Sequence, residues 1–497
     1  MKKIFIVLAI FTALQFGCTK LDTVLYDRVP PTDFVADPVL KMSPIYAPMR
    51  DFLDWGGWWF ANELTADGST GPTRASDWDD GGKWRVLHQH TWDNNTEAIN
   101  SMWSRFFNGV IEANKFIEEQ IPLGDAPEVL IAIAKAKVLR AYYYYLLIDN
   151  YKDVPYVTDY IEAPQNPKRN FRKDIFDRIT IEIAEEAPII PASNSKTGVT
   201  KGFAYSLLAR LYLNAEVYTG TAQWAKAEQY ADSVILLDQY SLEADPVKPF
   251  VTDNSNSPEN IFVIPYDEDK YQGFNLHMRT LHYNSNLTFN MTAGPWNGFA
   301  AMYDHYNSYE EGDKRKEGYF LVGQQYEADG TTPIIDQGAG GANLIFDPYI
   351  PALNMDASYT AVEIRMSGAR VKKFEIKNGA KENLSNDFPL FRYADVLLMK
   401  AEAMIRQGQN GDEYINPVRV RAGVEPFNNA TLDDLLAERG REFFWEAIRR
   451  GDLIRFGKFN QSWWEKGVSS PDRNTFPIPQ WAIDANPKLA EAPEPIQ

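Results

Sequence analysis

Two long segments with apolar side chains at helical spacing constrain this chain more than any other feature. "EAINSMWSRFFNGVIEANKFIEEQ" (Glu97–Gln120) places Ile99, Met102, Trp103, Phe106, Phe107, Val110 and Ile111 three and four residues apart. A helix gathers such residues on one face, whereas a strand scatters them over two. "PEVLIAIAKAKVLRAYYYYLLIDNY" opens with Pro127, tolerated in a first turn because its missing N–H has no partner to lose, and the pattern breaks near Pro155. Further helices are predicted over Lys173–Ala187, Val199–Tyr218 and Thr221–Asp238, the Gly220–Trp224 corner folding the last two into an antiparallel pair. Helices return at "FRYADVLLMKAEAMIRQG" (Phe391–Gly408), closed by Gly408, and at "TLDDLLAERGREFFWEAIRRGDLIRFGKF". The latter starts with Thr431 and Asp434 as a capping box and continues one face through Leu432, Leu436, Phe443 and Ala447.

These readings predict an all-α dominated fold, its helix pairs similar to tetratricopeptide units but without a clean repeat period. Residues 241–390 depart from it, being rich in Asn, Gly, Pro and Tyr, with "ENIFVIPYD" (Glu259–Asp267) as a short buried strand. A long, loop-rich, partly irregular insertion carrying short strands on a helical scaffold is where function concentrates. The expected divisions are 1–17, 18–40, 41–240, 241–390 and 391–497, the last forming one structural unit with 41–240.

The N-terminus predicts export. "MKK" precedes the apolar "IFIVLAIFTALQF" (Ile4–Phe16), too short to span a bilayer, and residues 1–17 are read as a signal peptide. Cys18 follows directly and is the only cysteine, so it has no internal disulfide partner. "LQFGC" resembles a bacterial lipobox, which makes Cys18 the expected lipidation site, and residues 18–40 an extended leader from the membrane. The formal net charge of −18 argues against nucleic acid, whose phosphates need a cationic stripe, and fits a neutral ligand better.

Several segments together carry a family resemblance. They are the lipoprotein signal, "AKVLRAYYYYLLIDNYKDVPYVT" (Ala136–Thr158), "TKGFAYSLLARLYLNAEVYTG" (Thr200–Gly220), "FRYADVLLMKAEAMIRQG", "NPVRVRAG" (Asn416–Gly423), "ERGREFFWEAIRRGDLIRFGKF" (Glu438–Phe459) and "PIPQWAIDANPKL". In this ordered set the chain resembles the SusD/RagB family of outer-membrane glycan-binding lipoproteins. The resemblance implies four tetratricopeptide-like helix pairs, a ligand face built mainly from loops, surface exposure on the outer membrane, and a SusC-like TonB-dependent transporter as partner. It implies no catalysis and no cofactor.

A pyranose offers an apolar C–H face and a rim of hydroxyls, so its site needs flat aromatic platforms beside polar groups. "RASDWDDGGKW" has that mixture, with Arg74, Asp77, Asp79 and Asp80 around Trp78, and Trp84 close behind. The resemblance places ligand aromatics partly in this loop and partly in the central insertion. There Trp296, with Asn297 as a hydroxyl partner, is the second candidate, and Tyr271 and Asn275 in "YQGFNLHM" are a third source. Other conspicuous residues read as structural. Trp55, Trp58 and Trp59 in "DWGGWWFANE" are expected to pack, His88 and His90 to be structural and not metal ligands, and Asp267–Asp269 to form a solvated turn. Acids and arginines in "ERGREFFWEAIRRGD" are expected to pair as Glu438 with Arg441, Glu442 with Arg439 or Arg441, and Glu446 with Arg449 or Arg450; Arg392 and Asp395 share a helical turn.

Non-catalytic glycan capture is thus the function expected. A surface glycoside hydrolase would need two carboxylates flanking a cleft, and no local motif isolates such a pair. A helical-repeat scaffold binding protein or peptide is the remaining alternative.

Overall fold

The computed structural model describes residues 41–55, 57–193 and 195–496. The expected signal peptide, Cys18 and the leader lie outside the described residues. Three short helices come first, α1 (Ser43–Arg50), α2 (Trp58–Glu63) and α3 (Lys83–His88). The helical body follows with α4 (Glu97–Gln120), α5 (Pro127–Tyr151), α6 (Arg172–Glu186), α7 (Lys201–Leu213), α8 (Ala215–Thr219) and α9 (Trp224–Ile235). Five one-turn helices punctuate the middle, α10 (Leu276–Thr280), α11 (Ser285–Phe289), α12 (Tyr303–Asn307), α13 (Lys314–Tyr319) and α14 (Ala361–Met366). The chain closes with α15 (Tyr393–Arg406), α16 (Asp412–Ala422), α17 (Leu432–Glu442), α18 (Arg449–Arg455) and α19 (Gln480–Ala485).

Successive helices pack side by side, α4 on α5, α5 on α6, α7 on α9 and α9 on α15. The predicted face of α4 is buried through Ile99, Met102, Trp103, Phe106 and Val110, while Ile111 falls off it and is exposed. From Val138 onward α5 is buried on nearly every side, since α4, α6 and α7 flank the helix, and its four tyrosines Tyr142–Tyr145 lie inside. Buried phenols need partners. Tyr143 donates to the Ile45 carbonyl at 2.6 Å and Tyr144 to that of Val157 at 2.8 Å. The helix predicted over Val199–Tyr218 starts with Thr200 as its cap, accepting from the Phe203 N–H at 3.2 Å, but it breaks at Asn214.

Two strands of the predicted kind close the base of the irregular region. β3 (Asn260–Ile264), buried throughout, pairs antiparallel with β6 (Phe388–Arg392), Phe388 opposite Ile264 and Arg392 opposite Asn260. The chain therefore leaves and re-enters the helical body at adjacent points. Two smaller pairings join this excursion to the N-terminal loop: β1 (Ser69–Thr70) runs antiparallel to β4 (Ala300–Ala301), and β2 (Thr73–Arg74) parallel to β5 (Asn354–Met355).

The face expected to run on through Phe443 and Ala447 is interrupted. Residues 443–448 form a turn with Trp445 and Ala447 at φ 70° and 58°. Its amide groups find a partner far away in sequence: the Glu63 carboxylate accepts from the N–H of Trp445 at 3.2 Å and of Ala447 at 3.0 Å, and the Trp59 indole donates to the Trp445 carbonyl. Burial pushes Glu63 up to about 7 in spite of these donors.

The acids and arginines of the C-terminal helices do pair, mostly with partners other than those expected. Glu438 keeps Arg441 at 2.7 Å and adds Arg315 and Arg419. Glu442 is held by Arg315, Arg392 and Arg421 rather than by Arg439 or Arg441. Glu446 takes Arg392 and Lys373, not Arg449 or Arg450. Arg392 also reaches Glu259, and Asp395 pairs with Arg210 and Arg439. The network spans β3, β6, α13, α16 and α17, so it locks the excursion to the body. Burial pushes Glu438 up, but Arg315 and Arg441 outweigh it and hold the carboxyl down to about 2.

Truncating one partner of a buried ion network leaves the others uncompensated. Arg392→Met is expected to cost about 3–5 kcal/mol, read as a lowered denaturation midpoint. Because Glu438 is depressed in the fold, its stabilisation is present above its unfolded value and is lost as pH falls toward about 2. Thermal melts below pH 4.5 should show that decline, and a flat melting temperature down to pH 2.5 would contradict it.

Candidate functional site

The loop carrying Trp78 is built from strained backbone. Ala75, Trp78 and Asp80 have φ of 59°, 58° and 42°, a region that L-residues with large side chains seldom adopt, and Gly81 and Gly82 continue it at 66° and 84°. Such strain persists only where surroundings over-determine it, and here they do. Arg74 and Asp77 exchange backbone hydrogen bonds, closing the turn. The Trp78 indole donates to the Trp296 carbonyl at 2.6 Å, and Gly298 lies against the ring so closely that a Cβ there would sit 2.4 Å from it. Arg74 donates to the carbonyls of Gly298, Ile364 and Ser367 at 3.1, 2.7 and 3.1 Å. The two candidate tryptophans are thereby brought together from positions 218 apart in the sequence.

They share an open cavity of about 620 Å³, a size in the usual range for ligand sites. Its aromatic wall has three indoles. Trp55, 42 % exposed, stands 5.8 Å from Trp78 at 79° and 5.8 Å from Trp296 at 41°. Trp296 is half-buried and Trp78 only 6 % exposed. The solvent-reaching aromatic surface therefore belongs to Trp55 and Trp296, and Trp78 forms the back wall. Asp77, Asn275 and Tyr283 add polar groups, with Asp54, Asp80 and Glu382 at the rim. Tyr283 donates to Asp77, which also accepts from the Trp78 N–H at 3.1 Å. Burial, then that hydrogen bond, pushes the Tyr283 phenol up to about 12, so it remains a donor. Asp80 accepts from the Trp84 indole at 2.7 Å.

Arg279 completes the floor. It projects from α10, whose backbone is stitched to the Trp296 segment: Trp296 N–H donates to the Met278 carbonyl at 2.7 Å, and Gly298 and Phe299 to that of Arg279. The guanidinium carbon lies 4.7 Å from the Trp55 ring and 4.4 Å from that of Phe60. Burial pulls Arg279 down to about 9, against the opposing charges of Asp54 and Tyr266.

The structure corrects several expected site residues. Trp84 is 2 % exposed and packs behind Trp55 on Phe60 and Phe299, because α3 turns it inward. Arg74 is buried and spent on carbonyls. Asn297 is buried too, its side chain accepting from Arg370 at 2.8 Å, with its own φ at 56°. Asp79 pairs with Arg85 at 2.7 Å outside the cavity wall, and Tyr271 is exposed beside it under Arg50. Trp55, expected to pack with Trp58 and Trp59, instead faces the cavity, because α2 begins only at Trp58 and leaves it on the preceding turn. The histidine readings match the geometry. His88 bonds the Trp464 carbonyl and His90 bonds Thr65 and Ser469. The acidic turn is only partly solvated, since Glu268 pairs with Lys377 and Lys381 while Asp269, paired with Lys381, stays exposed.

Comparison with known proteins agrees with this fold. Residues 258–494 match the SusD family and residues 61–213 a family described as starch-binding, associating with the outer membrane. The Starch-binding protein SusD of Bacteroides thetaiotaomicron is 26% identical over 443 residues, covering 81% of this chain and 79% of that protein. A SusD superfamily protein from Parabacteroides distasonis superposes with a TM-score of 0.73 at 20% identity, over 93% of this chain and 99% of the other. Surface glycan-binding protein A from Bacteroides thetaiotaomicron, solved with laminarihexaose, superposes with a TM-score of 0.72 at 20% identity, over 90% and 97% of the two chains. Matched across more than three quarters of its length by these two family descriptions, the chain belongs to the SusD/RagB family.

Proposed function

We propose that this protein is a non-catalytic, outer-membrane-associated receptor that captures oligosaccharide or polysaccharide at the Trp55–Trp296 cavity. The observation carrying the proposal is a pair of solvent-reaching indoles, ring centroids 5.8 Å apart and inclined at 41°, inside a cavity rimmed by carboxylates, an amide and a phenol. Indole faces stack on the C–H face of a sugar, and acceptors and donors around them pair its hydroxyls. The incline suits two consecutive sugar rings that are not coplanar. Rigid aromatics lose little conformational freedom on binding, so most of the contact is retained as affinity. Among relatives, the solved complex with laminarihexaose is a glycan complex on this fold. Residues 241–390 supply Asn275, Arg279, Tyr283, Trp296 and Glu382, and the N-terminal segment supplies Asp54, Trp55, Asp77, Trp78 and Asp80, so the ligand face would be shared between them. Cys18 would anchor the protein by lipid, and a SusC-like TonB-dependent transporter would receive the captured glycan.

Calorimetry or affinity electrophoresis against a glycan panel tests this. Trp55→Ala and Trp296→Ala should each weaken binding by about 2 kcal/mol, roughly thirtyfold, with unchanged circular dichroism. Trp84→Ala should instead cost about 3–5 kcal/mol of stability, since its ring is core. Wild-type affinity in both cavity variants would refute the site. Gly298→Ala should displace the Trp78 ring at a cost of about 1–3 kcal/mol, visible as a changed near-ultraviolet dichroism. Cys18→Ala should release the protein from the outer-membrane fraction; retention there would argue against the lipid anchor.

A further inference from the structure

Among the described residues, buried arginines have carboxylate partners within 4 Å with three exceptions, Arg74, Arg279 and Arg370. Arg74 and Arg370 are spent on backbone carbonyls and on Asn297. Arg279 is different. It is 2 % exposed, lines the cavity, and its Nε and Nη1 have no hydrogen-bond partner. A buried charge without a partner is costly, and native structures retain one where a function uses it. Its planar group is also held in place, packed against Trp55 and Phe60 with ring centroids 4.7 and 4.4 Å away. A guanidinium held by two rings at the wall of a cavity is a fixed cation with unspent donors, the chemistry that matches an oxyanion.

Resting on the glycan-capture reading, we infer that Arg279 selects an acidic sugar, one carrying an anionic oxygen group: the carboxylate of a uronic acid or a sulfate ester. The sugar ring would lie on Trp55 and Trp296, and its anionic substituent would meet the Arg279 guanidinium at the cavity floor. The chain's net charge of −18 points to a neutral ligand. At the cavity, Asp54 is in an ion pair with Arg105 at 3.1 Å, and Asp77 and Asp80 are oriented by neutral donors, Asp77 by Tyr283 and the Trp78 N–H and Asp80 by the Trp84 indole, while Glu382 stands exposed at the rim. Lys83, paired with Glu97 at 3.1 Å, lies 5.2 Å over the Trp55 ring. Charges separated by more than a Debye length are screened in physiological salt, so the acidity of the rest of the chain does not reach an anion in contact with Arg279.

The test is retention of the full-length protein in gels of neutral glycans (starch, laminarin, xyloglucan), uronates (polygalacturonate, alginate) and sulfated glycans (carrageenan, fucoidan). The strongest retention should fall in an acidic arm, and which arm does so separates carboxylate from sulfate. Arg279→Met keeps an apolar side chain against Trp55 and Phe60 and should lower that retention at least tenfold, to the neutral level. Retention confined to neutral glycans, or acidic retention unchanged in Arg279→Met, overturns the inference while leaving glycan capture standing. No retention in any arm removes glycan capture itself, and this inference with it. Should Arg279→Met fail to fold, the wild type alone decides: affinity for the retained acidic glycan must fall as salt rises, and a flat salt response overturns the inference.

Discussion

The fold depends on a charge network that lies wholly inside the protein. Arg392 at the end of β6 touches Glu259, Glu442 and Glu446, and Arg315 and Arg421 share the same carboxylates. Each side chain in that set is at most 5 % exposed. Ions out of water are stable only when their charges are closely paired and most of their hydrogen-bonding groups matched, so the arrangement admits few alternatives. Its members come from the irregular excursion and from the C-terminal helices alike. Loops with little regular hydrogen bonding of their own are thereby given a fixed base, and the cavity inherits that rigidity.

Rigidity explains why the site tolerates a strained Trp78. The backbone at that residue is left-handed, yet its indole, its carboxylate neighbour and the Gly298 contact all agree on one position. The strain is supported by bonds reaching across 218 residues. A flat binding surface gains from such support, since rings already in place lose nothing when a ligand arrives.

Helices of the body were legible from periodicity because burial on one face dictates it, as in α4. Beyond that, long-range partners decide. The break after Glu442 was not legible, since the group that caps it is Glu63 on α2. In the site, Trp78 and Trp296 stood out as indoles among turn residues, and Asp77 and Asn275 lay beside suspected aromatics. Trp55 was masked by its core neighbours Trp58 and Trp59, and only the position of the α2 start distinguishes them. Arg279 follows one residue after the flagged stretch ending at Met278 and belongs to no motif; its isolation from carboxylates is a property of packing. Trp84, Arg74 and Asn297 have the right chemistry on the wrong side of the wall.

The pairing of β3 with β6 has one more consequence. Because Ile264 and Phe388 sit opposite each other, the 123 intervening residues begin and end side by side. Between those ends, Arg315 and Lys373 tie the segment to Glu442 and Glu446, and stretches lacking such ties can change length without pulling the helices apart. Freedom to vary thus belongs to the parts of the excursion that carry no buried charge.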